Sequence, residues 1–464
     1  MIDREVLKKR MEGLFEYTFG DSKEYVQLVF DNYFHPDFVE YEERDGKIIA
    51  ALLAIPYEFG NNKNRIKGVY LCGLSTLPAY RRQGIMGRMI DRIGEKMKTR
   101  GFSFMFLIPA NEGLIRYYSV HQFHPAFYRR NLNFVAGYDF KRAYFAGLKE
   151  GRIPYPNYKK RDINVIDIAR DKGDKDGIEL FWENIKIEEI DKEKPFSNAL
   201  LKEVVMFIHD LCGSRNRSEI FQSEDQLKVV IAECILSGGK VLIAKDEDNN
   251  IGGVGFVEVL NEEMRMKQTF YTIPIYKERI FQYVADSYES YSISEEVYLS
   301  NAMEESDEKN RSQLWTPFYG AALPECPQVG AVGELERVYD PCKAFQVYGM
   351  VRVLDISEIL KFQASIISNL KYSILVNLGK EGRRGQNRSL QTLMDTHAPD
   401  RDVRNIVVEN GKIEMKSITN EKKEGILSLT DLEQLLFRKP THDTLETEVF
   451  GIPPLGSAIY LMLD

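Results

Sequence analysis

The stretch from Val69 to Leu107 constrains the fold most. An apolar run, VYLCGLST, passes through Pro78 into a basic loop with glycines and then into IMGRMIDRIGEKMKTR. There Ile85, Met89, Ile93 and Met97 recur every four residues, which on a 3.6-residue turn gathers them on one face, and Gly101 supplies a stop. The apolar run FSFMFLIPA follows at once. The unit reads as strand, loop, helix, strand, so helices and strands share one core. Upstream, LFEYTFG reads as a short strand-like run and KEYVQLVFDNYF as an amphipathic helix. FVEYEERDGKIIAALLAIPYEF reads as an antiparallel hairpin about the Asp45-Gly46 turn.

A chain of 464 residues is too long for one compact core, and three domains are expected. Around residues 140–165 the pattern dissolves into FKRAYFAGLKEGRIPYPNYKKRD, whose prolines, glycines and mixed charge suggest a linker. A second boundary falls near PQVGAVGELERVYDP, giving segments 1–148, 149–335 and 336–464. In the middle segment ALLKEVVMFIHDLC reads as a helix, and KVLIAKDEDNNIGGVGFVEVL echoes the first hairpin. In the last, MVRVLDISEILKF, YSILVNL, NIVVENGKIEMKSI and ILSLTDLEQLLF suggest a small α+β domain. Asp355 with Glu358, and Thr430 with Glu433, have the spacing of capping boxes, and Asn410-Gly411 marks a tight hairpin.

Composition narrows the function classes. A net charge of -8 without a basic stripe argues against nucleic acid as a partner and tolerates cationic substrates. Five scattered cysteines, none in a CxxC pair, fit a reducing cytoplasm. No signal-peptide core and no long apolar run is legible, so no membrane span is expected. Of the six histidines only His121 and His124 are close in sequence, and no metal cofactor is expected.

The chemistry sits in Leu74-Ser75-Thr76-Leu77-Pro78-Ala79-Tyr80-Arg81-Arg82-Gln83-Gly84-Ile85-Met86-Gly87, between strand and helix. A helix N-terminus exposes unpaired amides and a partial positive charge, so a glycine loop there can wrap a pyrophosphate. Gly84 and Gly87 would permit close approach. Arg81 and Arg82 offer planar forks of donors to phosphate oxygens. One helix and one strand later comes Asn111-Glu112-Gly113-Leu114-Ile115-Arg116-Tyr117-Tyr118-Ser119-Val120-His121-Gln122-Phe123.

The first of these segments resembles the R-x-x-G-x-G/A signature of GNAT acetyltransferases, and the second their N-x-x-A-x-x-F/Y-Y-x-x-x-G-F signature. The resemblance covers residues 1–145 and implies an N-acetyltransferase that uses acetyl-CoA as co-substrate and a small-molecule or peptide amine as acceptor. It further implies that the backbone of Leu74, Ser75 and Thr76 pairs with the pantetheine arm. Arg81, Arg82, Gln83, Gly84, Ile85, Met86 and Gly87 would hold the pyrophosphate, and Asn111 would line the cleft. Tyr118 would be the general acid that returns a proton to the coenzyme A thiolate, a transfer suited to a phenol. The reading of Tyr118 as a core aromatic beside Tyr117 stands next to it.

Two positions depart from the signatures: Met86 replaces Gly or Ala, and Gln122 replaces the glycine before Phe123. A bulky residue after R-R-x-G-x is similar to the enhanced-intracellular-survival (Eis-like) subgroup. That likeness implies an α+β chain of three parts: a mixed-sheet GNAT domain, a degenerate GNAT-like domain without the phosphate loop, and a C-terminal domain resembling sterol carrier proteins. It also raises the expectation of a homo-oligomer, a hexamer by analogy. Lys67 to Thr76 contains no Asp or Glu to serve as base. By the subgroup analogy the terminal carboxylate of Asp464 would serve, with His121 and His124 as alternatives. A non-catalytic acyl-CoA sensor and a lipid-binding protein remain as other readings.

Overall fold

The computed structural model describes residues 3–61, 63–151, 175–214, 219–298, 346–366, 371–378, 402–409, 412–418 and 426–437. It opens with two helices, α1 (Arg4–Phe19) and α2 (Lys23–Tyr33). The run LFEYTFG, expected as strand-like, forms the last turns of α1 instead. Leu7, Met11, Leu14 and Phe15 are buried with helical spacing, the Asp3 side chain accepts from the amides of Glu5 and Val6, and Gly20 ends the helix at φ 74°. Caps and period over the whole segment outweigh the local aromatic content.

Strands β1 (Val39–Arg44) and β2 (Lys47–Gly60) form the expected hairpin, with Asp45 and Gly46 both left-handed. Next come β3 (Arg65–Thr76), α3 (Ile85–Thr99), β4 (Phe104–Leu107), α4 (Glu112–Val120), β5 (His124–Phe134) and α5 (Phe140–Lys149). Helix α5 stands where a linker was expected: Asp139 caps it, and Phe140, Tyr144 and Leu148 are buried four residues apart. The chain continues through α6 (Lys175–Asn184), β6 (Lys186–Ile190), α7 (Asn198–Ser214), β7 (Glu219–Phe221), α8 (Glu224–Leu236), β8 (Lys240–Lys245), β9 (Ile251–Val259), β10 (Glu263–Tyr271), α9 (Pro274–Ser287) and β11 (Ser292–Tyr298). The last described elements are β12 (Gln346–Val353), α10 (Ile356–Ile366), β13 (Lys371–Asn377), β14 (Val403–Glu409), β15 (Lys412–Ser417), β16 (Ile426–Ser428) and α11 (Leu429–Phe437).

One long mixed sheet runs β1-β2-β3-β4-β12-β5-β11-β10-β9-β8-β6, with β7 beside the end of β2. Its two halves repeat a single plan. In each, an antiparallel meander (β1-β2-β3, then β8-β9-β10) hands over through a helix (α3, then α9) to a parallel strand (β4, then β11). Strands β5 and β11 pair antiparallel and join the halves. The tandem, mixed-sheet α+β architecture is therefore built into the hydrogen-bond ladder. The handover differs between halves. Between β3 and α3 lies a loop from Leu77 to Gly84, whereas only Thr272 and Ile273 separate β10 from α9, which leaves no span for a phosphate loop.

Strand β12 comes from the far end of the chain, lies between β4 and β5, and pairs antiparallel with both. Sequence placed it with the C-terminal group, but the facing edges of β4 and β5 need a partner for their amides and carbonyls. The remaining strands form a separate sheet, β15-β14-β13-β16. The turn Asn410-Gly411 lies outside the described residues, although Glu409 and Lys412 pair across it. Helix α11 starts earlier than the Thr430–Glu433 box implied. Ser428 and Asp431 cap reciprocally, at 3.1 and 3.0 Å, and Glu433 is thereby released to meet His124. Asp355 accepts from the amides of Ser357 and Glu358, while the Glu358 side chain takes Lys361 and does not close a box.

The first half of the sheet is packed on both faces. On one, Leu52, Val69, Leu71, Met105 and Leu107 meet Ile85, Met89, Ile93 and Met97 of α3 with Tyr118 of α4. On the other, Tyr57, Tyr70, Phe104 and Phe106 meet α1, α2 and the C-terminal helices α10 and α11.

Candidate active site

The site begins where two strands part. β3 pairs with β4 only from Gly68 to Tyr70, against Phe104 to Phe106, yet β3 continues to Thr76. Along Leu71 to Thr76 the two strands diverge in a fork. At its root β3 carries a bulge. Leu53 and Ala51 of β2 face Cys72 and Ser75, so an extra residue sits between them, and Gly73 is left-handed at φ 61°. A side chain at Gly73 would run into the ring of Phe15 from α1. Ser75 is fully buried and its hydroxyl donates to the Ala51 carbonyl at 3.2 Å, which holds the outer arm of the fork against β2.

Beyond the fork the chain turns through Arg81 to Gly84, all exposed, into α3. Arg82 and Gly84 are left-handed, at φ 62° and 69°. Gly84 is the N-cap, so no side chain caps the helix, and its first turn holds no acidic residue. The amides of Ile85 to Gly87 thus keep the partial positive charge of a helix start. The Arg81 Nε donates to the Thr76 carbonyl at 3.0 Å and Arg88 donates to the Gln83 carbonyl at 3.1 Å, which fix the turn. Arg44 reaches Gln83 at 3.4 Å and lies over the Tyr80 ring. Among the described residues, neither Arg81 nor Arg82 has an acidic partner. Ile85 is buried and Met86 packs at the edge of the α3 core, so both enter the site through backbone alone. Gly87 is different: a Cβ there would strike the His121 ring, so its bareness makes room for histidine.

Asn111 is the N-cap of α4, its side-chain oxygen accepting from the Leu114 amide at 3.0 Å. Tyr118, on the same helix, is 7% exposed and packs edge-on to Phe123 and Tyr117. Burial, and next the neighbouring Tyr117, push its pKa up, which keeps the phenol protonated. His121 is buried against Tyr117; burial pushes its pKa down, against the pull of Asp91, with Arg352 adding to the fall. Asp91 and Arg352 themselves form a buried ion pair at 2.8 Å between α3 and β12.

Residues 8–130 match the family model described as acetyltransferase (GNAT) domain. The matched span holds the fork, the basic turn and Tyr118. These residues are similar to that acetyltransferase domain. Acyl transfer is the chemistry that this match supports. No curated protein matches the chain in sequence. Among solved structures, a probable N-acyltransferase from Enterococcus faecalis V583 is similar with a TM-score of 0.57 at 12% identity, covering 96% of this chain and 90% of that one. A GCN5-related N-acetyltransferase from Anabaena variabilis ATCC 29413 reaches 0.52 at 11% identity, covering 94% and 88%. At such identity these two speak for the fold, which extends over nearly the whole chain.

Of the sequence-predicted residues, Leu74 to Thr76 and Arg81 to Gly87 follow the chain from the end of β3 into α3, Tyr118 packs in the α3 core and Asn111 starts its helix, while three residues stand apart or differ in role. Asp464 lies outside the described residues. His124 is buried and bound to Glu433 at 3.0 Å, on the strand beyond β12. Gly87 serves His121 as described. Sequence reasoning passed over Gly73 and Phe15, although a glycine inside an apolar strand is itself a sign of a bulge. It also passed over Arg352, which no local pattern could have linked to Asp91. Among the described residues no cluster of three or more His, Cys, Asp or Glu could hold a metal, and no helix is long and apolar enough to cross a membrane.

Proposed function

We propose that the fork between β3 and β4 receives acetyl-CoA and that the acetyl group passes by direct attack to a primary amine. The observation that carries this reading is the run of β3 from Leu71 to Thr76, which departs from β4 and leads straight to an uncapped helix start flanked by arginines. The pantetheine amides would add to Leu74–Thr76 as a further strand, while Arg81 to Gly87 hold the diphosphate. Asn111 closes the adjacent helix end. Tyr118 stays protonated and returns a proton to the departing thiolate.

An amine must lose its own proton before attack. The base is Asp464 or the neutral His121, since His124 is engaged by Glu433. The finer assignments belong to the same reading: three domains at 1–148, 149–335 and 336–464, an Eis-like subgroup, a sterol-carrier-like C-terminal unit, a homo-oligomer and a cytoplasmic location. The packed core of Ile374, Val376, Ile406, Val408, Leu427 and Leu432 supports a structural C-terminal unit more than a lipid carrier.

The test is acetyl-CoA turnover with a panel of primary amines in the wild type and in Tyr118→Phe. Turnover falls by about 10²-fold with little change in cofactor affinity. Equal activity in the two proteins refutes the general-acid role.

A further inference from the structure

The hairpin tip beside the basic turn carries cations that the fold itself does not use. Strand β3 ends alongside β2, where Thr76 pairs with Ala50 and the Leu77 amide donates to the Ile49 carbonyl at 2.9 Å. β2 begins at Lys47, so at the rise of a strand the β1–β2 tip projects about 10 Å past the end of β3. Arg44 and Lys47 face each other across that tip, both exposed. Like charges directly opposite on an antiparallel pair repel. The glutamates of β1 do not relieve them. Arg92 of α3 holds Glu40 and Glu42 at 2.6 and 3.3 Å, and Arg10 of α1 holds Glu43 at 3.0 Å. Among the described residues neither Arg44 nor Lys47 has an acidic partner.

Arg44 is held at the turn. Its guanidinium lies over the Tyr80 ring and donates to Gln83 Oε1 at 3.4 Å, while Gln83 Nε2 donates to the Ala79 carbonyl at 3.3 Å and so presents that oxygen. This uses one of the donors of the guanidinium and leaves the others for an anion. Coenzyme A does not end at its diphosphate. The pantetheine arm would run back along Leu74–Thr76 into the fork, so the adenosine half leaves the turn the other way, past the end of β3 and toward the hairpin tip. On its ribose it carries a phosphomonoester with a charge near -2. Resting on the acetyl-CoA reading of the fork, we infer that Arg44, with Lys47, binds this 3′-phosphate and makes the chain select coenzyme A over its dephospho form. The planar donors of arginine suit phosphate oxygens, and a phosphate between the two cations also ends their repulsion.

The test is calorimetric titration of the full chain with coenzyme A, dephospho-coenzyme A and pantetheine, in the wild type, Arg44→Gln and Lys47→Gln. The wild type binds coenzyme A about tenfold more tightly than the dephospho form. Each substitution cuts that ratio to about threefold or less, while affinity for the dephospho form stays within about twofold. Both side chains are exposed, so the fold survives their loss. An unchanged ratio in both variants overturns the assignment. So does an equal loss of affinity for coenzyme A and its dephospho form in Arg44→Gln, because an arginine that merely props Gln83 acts through the diphosphate turn. Dephospho-coenzyme A binding no more tightly than pantetheine removes the diphosphate site and the 3′-phosphate assignment with it, and the pantetheine titration tells this outcome apart from the other two.

Discussion

Gly87 has a reason that the sequence does not show. Its place in a phosphate-loop signature suggests bareness for a ligand, whereas the structure fills the space above it with His121. The two readings predict opposite signs. With open space, Gly87→Ala would stabilise α3 by up to about 1 kcal/mol, since alanine is the better helix former. With His121 in contact, the added methyl costs about 1–3 kcal/mol, and the double variant Gly87→Ala, His121→Ala recovers much of that loss in denaturant melts. Tyr118 is a core aromatic by packing and keeps its proton because it is one, which suits the proposed general acid and leaves that role to the Tyr118→Phe comparison. Arg352 could not have been found. Its meeting with Asp91 depends on a chain reversal that no local window contains.

At the scale of elements, helices and hairpins with caps or turn residues were readable, and errors arose where composition was used without them. The loop-like composition around 140–165 hid α5, whose cap Asp139 and four-residue apolar spacing specify a helix. That helix packs through Tyr144 near Glu278 of α9. Burial raises the Glu278 carboxyl to about 7, with neighbouring Lys277 pulling it down and Glu295 pushing it up. A carboxyl raised in the folded state favours folding below its unfolded value, near 4.5, and loses that contribution as pH rises through about 7. Glu278→Gln, neutral at every pH, therefore matches the wild type in thermal unfolding at pH 4 and exceeds it at pH 8, by roughly 3 kcal/mol or less. Equal melting temperatures at pH 8 would place that carboxyl in water.

Over the whole molecule, the first half of the long sheet is completed by a strand from residues 346–353, and α11 reaches the same sheet through the buried His124–Glu433 pair. The tandem plan was expected from the family resemblance, with the echo of one hairpin in another as a weak sign, but this closure was not, since strand pairing over such separation leaves no periodic trace. The short Thr272–Ile273 link gives the second half no loop to match Leu77–Gly84 of the first. The most direct measurement is calorimetric titration of the full chain with coenzyme A and with pantetheine, which lacks the diphosphate. Coenzyme A should bind at least about tenfold more tightly, the difference coming from amides and arginines at the start of α3. No heat with coenzyme A, or equal affinity for the two compounds, would contradict a diphosphate site at Arg81–Gly87.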